Sequence, residues 1–173
     1  MKSNPGGGVL ARFGRTEVGR DLAGFVYGTI VVLSVIVAAA KAFPHEPGHV
    51  AALVAVTTVV FWLAHVYAHG LGFSVQRDMH LSLAELRSIA RREASIVGAG
   101  VPPEVALLLG AVGLLSEDVA VWLAMCLGLV VLGAAGIIFA RVERLQPLSA
   151  LAVVVANLAL GIVLIGLKVL VTH

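Results

Sequence analysis

Charged residues are scarce in this chain. Asp, Glu, Lys and Arg make up 13% of 173 residues, roughly half of the ~25% that a water-soluble domain carries. So little charge cannot cover a water-exposed surface, and the 60% of hydrophobic residues must face something apolar. There is one cysteine, Cys126, so no disulfide can form within the chain. It lies inside an apolar run and reads as a small packed hydrophobe. A net charge of +2 offers nothing to hold a nucleic acid. Several functional signatures are missing too. The chain has no Walker loop, dinucleotide fingerprint, haem-attachment motif or serine-nucleophile elbow. No pair of carboxylates falls within an apolar run, no internal repeat stands out, and no particular cofactor is implied.

Long apolar runs are abundant, and they define an all-α, polytopic membrane helix bundle of about five transmembrane helices plus one amphipathic interfacial helix. Residues 1–21 read as a flexible basic tail, with Gly6-Gly7-Gly8 and Lys2, Arg12, Arg15 and Arg20. Residues 22–173 form a single bundle with spans expected at about 22–43, 49–71, 102–115, 119–140 and 147–171. The first run ends on Ala40-Lys41-Ala42, which resembles a signal-peptide cleavage site. It is longer than a signal core and is read as a retained anchor.

Between the second and third spans, Ser82 and Glu85 have the spacing of a capping box. Leu83, Leu86, Ala90, Ala94 and Val97 form an apolar stripe beside Arg87, Arg91 and Arg92. This predicts an amphipathic helix over about 82–97, ended by Gly98 and Gly100 and lying in the membrane interface or packed on the bundle. Pro102-Pro103-Glu104 then has the composition of a helix start, with proline in the first turn and an acid at the positive end. On that reading Glu104 needs no functional role, and the third span is short.

Orientation follows from the basic residues. With the N-terminus inside, segments 1–21, 72–100 and 141–146 hold Lys2, Arg12, Arg15, Arg20, Arg77, Arg87, Arg91, Arg92, Arg141 and Arg144, and only Lys41 and Lys168 fall outside. The positive-inside rule therefore predicts a cytoplasmic N-terminus and an external C-terminus in a cell membrane.

Small residues mark the helix contacts expected in lipid. Gly24 and Gly28 share a face of the first helix, and Ala120, Ala124, Gly128 and Gly136 share one of the fourth. These positions serve the bundle or a seam with another chain. A chain of this size is expected to form a homo-oligomer or to join a membrane partner subunit.

Three constellations could carry chemistry. His45-Glu46-Pro47-Gly48-His49 matches the H-E-x-x-H pattern of zinc proteases, but Pro47-Gly48 argues against one helix carrying both histidines. A looser metal site would use His45 and His49 with Glu46, Glu117, Asp118 and His173 from the same side of the membrane. Inside the second span, Thr58, Trp62, His65 and His69 recur every three to four residues. Histidine titrates near ~6.5, which suits a proton relay, with a neutral imidazole bonded to a carbonyl as the plainer alternative. Asn157 in the last span reads as interhelical glue or as part of a polar lining, with Tyr27 and Ser34 of the first helix completing a seam.

The leading functional expectation is proton-linked permeation of an ion or small solute, with His65 titrating and Asn157, Thr58 and Tyr27 lining the path. A structural or regulatory membrane subunit is the alternative, and a metal-dependent membrane enzyme using His45, His49 or His65 the third.

Overall fold

A computed structural model describes residues 6–77 and 82–171. Among the described residues there are six helices and no strand: α1 (Gly6–Ala42), α2 (Pro47–Arg77), α3 (Leu83–Arg92), α4 (Ala94–Ala111), α5 (Glu117–Val142) and α6 (Pro147–Val171). Five of these are long and apolar enough to cross a membrane, over Asp21–Ala42, Pro47–Val75, Ala94–Ala111, Glu117–Val142 and Pro147–Gly166. The chain is a multi-pass membrane-helix bundle, and α3 is its one short helix.

Two helices form the centre. α1 packs against α2, α4, α5 and α6, while α4 packs against α1, α2 and α5. The shared core is Leu33 and Ile36 of α1, Val50 and Val54 of α2, Leu107 of α4, and Met125 and Leu132 of α5, all buried. α6 rests on α5 and α1. Most of its length is exposed, as expected of a helix whose outer side faces lipid.

Small residues let these helices approach closely. A Cβ added at Gly28 would lie 2.6 Å from the Ile96 carbonyl oxygen of α4, and one at Gly128 would lie 2.6 Å from Leu33 Cδ2. Gly24 faces Ser95, and Gly110 faces Ala120. Ala120 and Ala124 are fully buried. Gly136 receives Asn157 and Val154 of α6, with a would-be Cβ 3.0 Å from Asn157 Nδ2. The predicted small-residue positions thus serve contacts within one chain. Ala152 and Ala156, on the outer side of α6, stay exposed.

Two boundaries differ from the sequence reading. Residues 6–21, read as a flexible tail, continue α1 as helix. The larger difference concerns the third span. The amphipathic helix stops at Arg92, and α4 begins at Ala94, so Gly98 and Gly100 are packing positions inside a helix rather than caps. Pro102 and Pro103 lie inside α4 rather than at its start. The physical reason is the solvent. From Ala94 to Ala111 only Ser95 and Glu104 carry polar side chains, so the segment belongs in hydrocarbon. There, breaking the helix exposes several backbone groups that nothing can satisfy. Keeping it costs only the donors to the Gly98 and Ala99 carbonyls, which two prolines cannot supply. At 18 residues the helix is about 27 Å long, enough to cross a ~30 Å core with little mismatch.

α3 follows its local signals closely. The Ser82 side chain accepts from the Glu85 N–H at 3.2 Å, and the Ser82 N–H donates to Glu85 Oε2 at 2.9 Å. Both arms of the capping box are therefore made. Trp62 of α2 fastens the helix, its indole N–H donating to the Ala90 carbonyl at 3.0 Å.

Candidate functional site

The relay residues predicted on α2 divide between two sides of that helix. Tyr27, Phe61, His65 and His69 form one ladder of rings along α1 and α2. Tyr27 stacks on Phe61 at 5.1 Å between centroids, His65 tilts against Phe61 at 4.6 Å, and His69 meets His65 edge-on at 6.2 Å. His65 Nδ1 lies 3.2 Å from the Phe61 carbonyl oxygen one turn back. In the Nδ1–H tautomer the ring donates to that carbonyl within its own helix. The ladder ends at Glu93, whose Oε1 lies 2.9 Å from His69 Nδ1. Glu93 is buried at the elbow between α3 and α4, and His69 supplies its nearby polar partner.

Asn157 does not join them. It sits on α6 against Gly136 of α5, and α2 is not among the main neighbours of α6. His65 and Asn157 therefore take part in different helix contacts. Ser34 donates to the Ile30 carbonyl of its own helix at 2.7 Å, which leaves it little to offer a polar seam.

The histidines of the α1–α2 turn form pairs rather than one cluster. His45, in a left-handed conformation with φ 68°, places Nδ1 3.1 Å from Glu117 Oε2. His49 pairs with Glu46 and stacks on Phe43. Proline at the first position of α2 puts His45 outside the helix, so the H-E-x-x-H string does not present two histidines on one helical face. Among the described residues no three His, Cys, Asp or Glu side chains converge to hold a metal ion. His173 lies outside the described residues.

The site with unmet chemical demand is elsewhere, between α2 and α4. Three buried side-chain oxygens among the described residues lack a hydrogen-bond partner: Thr58 Oγ1, Ser95 Oγ and Glu104 Oε2. Ser95 faces α1 beside Gly24. Thr58 and Glu104 share one groove of about 150 Å³, whose other walls are Val54, Ala55, Val59, Val97, Gly100 and Val101. Gly100 makes room for Thr58, since a Cβ there would lie 3.7 Å from Thr58 Oγ1. The outer lips of the groove, Val59 and Val101, are exposed, so it opens sideways from the bundle toward lipid.

Depth sets Glu104 apart. It stands ten residues beyond Ala94 and seven before Ala111, about 15 Å and about 10 Å from the two ends of α4. Every other Asp, Glu, Lys or Arg in the five described spans (Asp21, Lys41, Glu117, Asp118 and Arg141) lies within two residues of a span end. An unpaired carboxylate in that medium costs several kcal/mol, so the group must hold a proton or meet a cation. Sequence reasoning missed this residue because the double proline made it look like a helix start. The available signal was the shortness of the 102–115 run: moving the start back to Ala94 restores a full span and places Glu104 near its middle.

No family model, curated protein or solved structure matches this chain. The bundle and its groove define the class, a small multi-pass membrane protein with one deep carboxyl, and any function must be argued from that groove.

Proposed function

We propose that this protein is a small permeation protein of the cell membrane, proton-linked, with Glu104 as its titrating group and the arginine-rich end facing the cytoplasm. One observation carries the reading: a carboxyl oxygen buried deep in a span with no partner. A residue retained only for packing would be expected to find a donor, and α2 offers one nearby in the Thr58 hydroxyl, which is itself unbonded. The Thr58 and Glu104 side chains stand beside one groove that reaches lipid, with these two oxygens buried behind its apolar surface.

The test is proton and cation flux into proteoliposomes under an imposed pH gradient. Wild type should conduct, and Glu104→Gln should lose at least tenfold. His65→Ala and Asn157→Ala should retain wild-type flux, since both residues lie outside the groove. Equal flux in wild type and Glu104→Gln would overturn the proposal.

A second reading, a homo-oligomer, draws on a separate observation. α6 is mostly exposed and carries Ala152 and Ala156 four apart on its outer side, a spacing that admits a neighbouring helix. Cross-linking from Ala156→Cys in a Cys126→Ala background checks it: a dimer band supports the reading, and monomer alone removes it.

A further inference from the structure

We propose that the pocket between α2 and α3 holds the headgroup of one anionic phospholipid, with its phosphate on the Arg92 guanidinium. The pocket shares no residue with the groove beside Glu104.

Depth points to a lipid. The pocket has a volume of about 360 Å³, and its walls include His69, Gly72 and Phe73 of α2 with Ile89, Arg92 and Glu93 at the end of α3. Phe73, Gly72 and His69 stand two, three and six residues before Val75, where the α2 span ends, or about 3–9 Å inside it. Glu93 is the residue just before α4 enters its own span at Ala94. The pocket therefore lies at the edge of the hydrocarbon, where the headgroup layer begins. A soluble protein does not reach into that layer, whereas every lipid of the leaflet presents its phosphate there.

Charge gives the sign of the headgroup. The elbow and α3 together carry Arg87, Arg91 and Arg92 against two acids, and both acids are engaged. Glu85 closes the capping box with Ser82, and Glu93, its side chain 10% exposed, lies 2.9 Å from His69. The three arginines are exposed, and every ion pair among the described residues is made by a histidine instead. An unpaired guanidinium at this depth needs an anion, and its planar fork matches two phosphate oxygens at once. Basic pockets between membrane helices bind anionic headgroups in this way.

The apolar walls suit the rest of the lipid. Phe73 and Ile89 line the pocket beside Arg92 and can cover the glycerol backbone and the first methylenes. Leu83, 85% exposed, and Leu86 place further apolar surface next to the arginines, so α3 presents side chains to both layers of the leaflet. Gly72 leaves the pocket open: it is exposed, and a Cβ there would meet nothing within 4 Å. A larger side chain at this position takes up pocket space without disturbing the helix packing. Phosphatidylcholine carries the same phosphate but adds a positive charge that three guanidiniums repel, so the site favours a headgroup such as phosphoglycerol.

Native mass spectrometry of the full chain in detergent micelles, titrated with dioleoylphosphatidylglycerol or dioleoylphosphatidylcholine, tests this. Wild type should retain one phosphatidylglycerol and bind phosphatidylcholine about fivefold more weakly, the scale of one basic residue's preference for an anionic headgroup. Arg92→Gln should lose that preference, and Gly72→Leu should weaken both lipids severalfold. Arg144→Gln removes an exposed charge from the α5–α6 turn, outside the pocket, and should bind as wild type does. Glycerol 3-phosphate, a headgroup without chains, should not be retained at the same concentration. Equal binding of the two lipids by wild type, or an unchanged preference in Arg92→Gln, would overturn the proposal. So would an equal loss in Arg144→Gln, which would mean a diffuse basic surface, or equal retention of glycerol 3-phosphate, which would mean a site for free phosphate.

Discussion

The two sides of α4 differ in what they bury. Toward α1 the seam is closed: Gly24 and Gly28 bring the backbones so near that the Ile96 carbonyl fills the space a side chain would need. Toward α2 the helices pack as extensively, but a groove runs beside Thr58 and Glu104, and an oxygen of each stays without a partner, as Ser95 Oγ does on the α1 side. Both sides lie in hydrocarbon, where association depends on close packing rather than on expelling water. What sets the α2 side apart is an ionisable group: Ser95 is a neutral hydroxyl, whereas Glu104 is a carboxyl near mid-span.

That comparison can be broken by crowding the α1 side or by removing the carboxyl from the other. The largest stability effect is expected from Gly28→Leu, which forces a side chain against the Ile96 backbone. We expect a loss of about 3 kcal/mol or failure to fold, at the upper end of overpacking costs, read by denaturation in mixed micelles. Glu104→Leu is expected to act in the other direction. Replacing an unpartnered buried carboxyl with an apolar side chain should raise stability by about 1–2 kcal/mol while abolishing flux. A destabilised Glu104→Leu would mean that the carboxyl holds the fold together. The smallest effect belongs to Trp62→Phe, which removes the indole bond to the Ala90 carbonyl. It should cost about 1 kcal/mol and speed amide exchange in 83–92 more than in 94–111.

Much of the fold was legible because its signals are additive. Apolar length identified five spans, and the Ser82–Glu85 spacing identified α3 and its first turn. The candidate site was less legible, for two physical reasons. Proline reads as a helix start in water, whereas in lipid the lack of any alternative partner keeps the backbone helical through Pro102 and Pro103. Glu104 was misassigned with them. Helical spacing also says which residues share a face but not which neighbour that face meets. Thr58 turned to α4, His65 to the ring ladder, and Asn157 to Gly136 of α5.

The central claim is that Glu104 stands at mid-span in a groove reached from lipid, and carbodiimide labelling tests it most directly. A protonated carboxyl adds across a carbodiimide, and the resulting O-acylisourea rearranges to a stable N-acylurea without losing any atom. Membranes containing the protein would be treated with dicyclohexylcarbodiimide or with a water-soluble carbodiimide, and the modified residue identified by peptide mass. The account predicts that the hydrophobic reagent labels Glu104 and that the water-soluble one leaves it unmodified. An unlabelled Glu104, or one labelled equally fast from water, would contradict it.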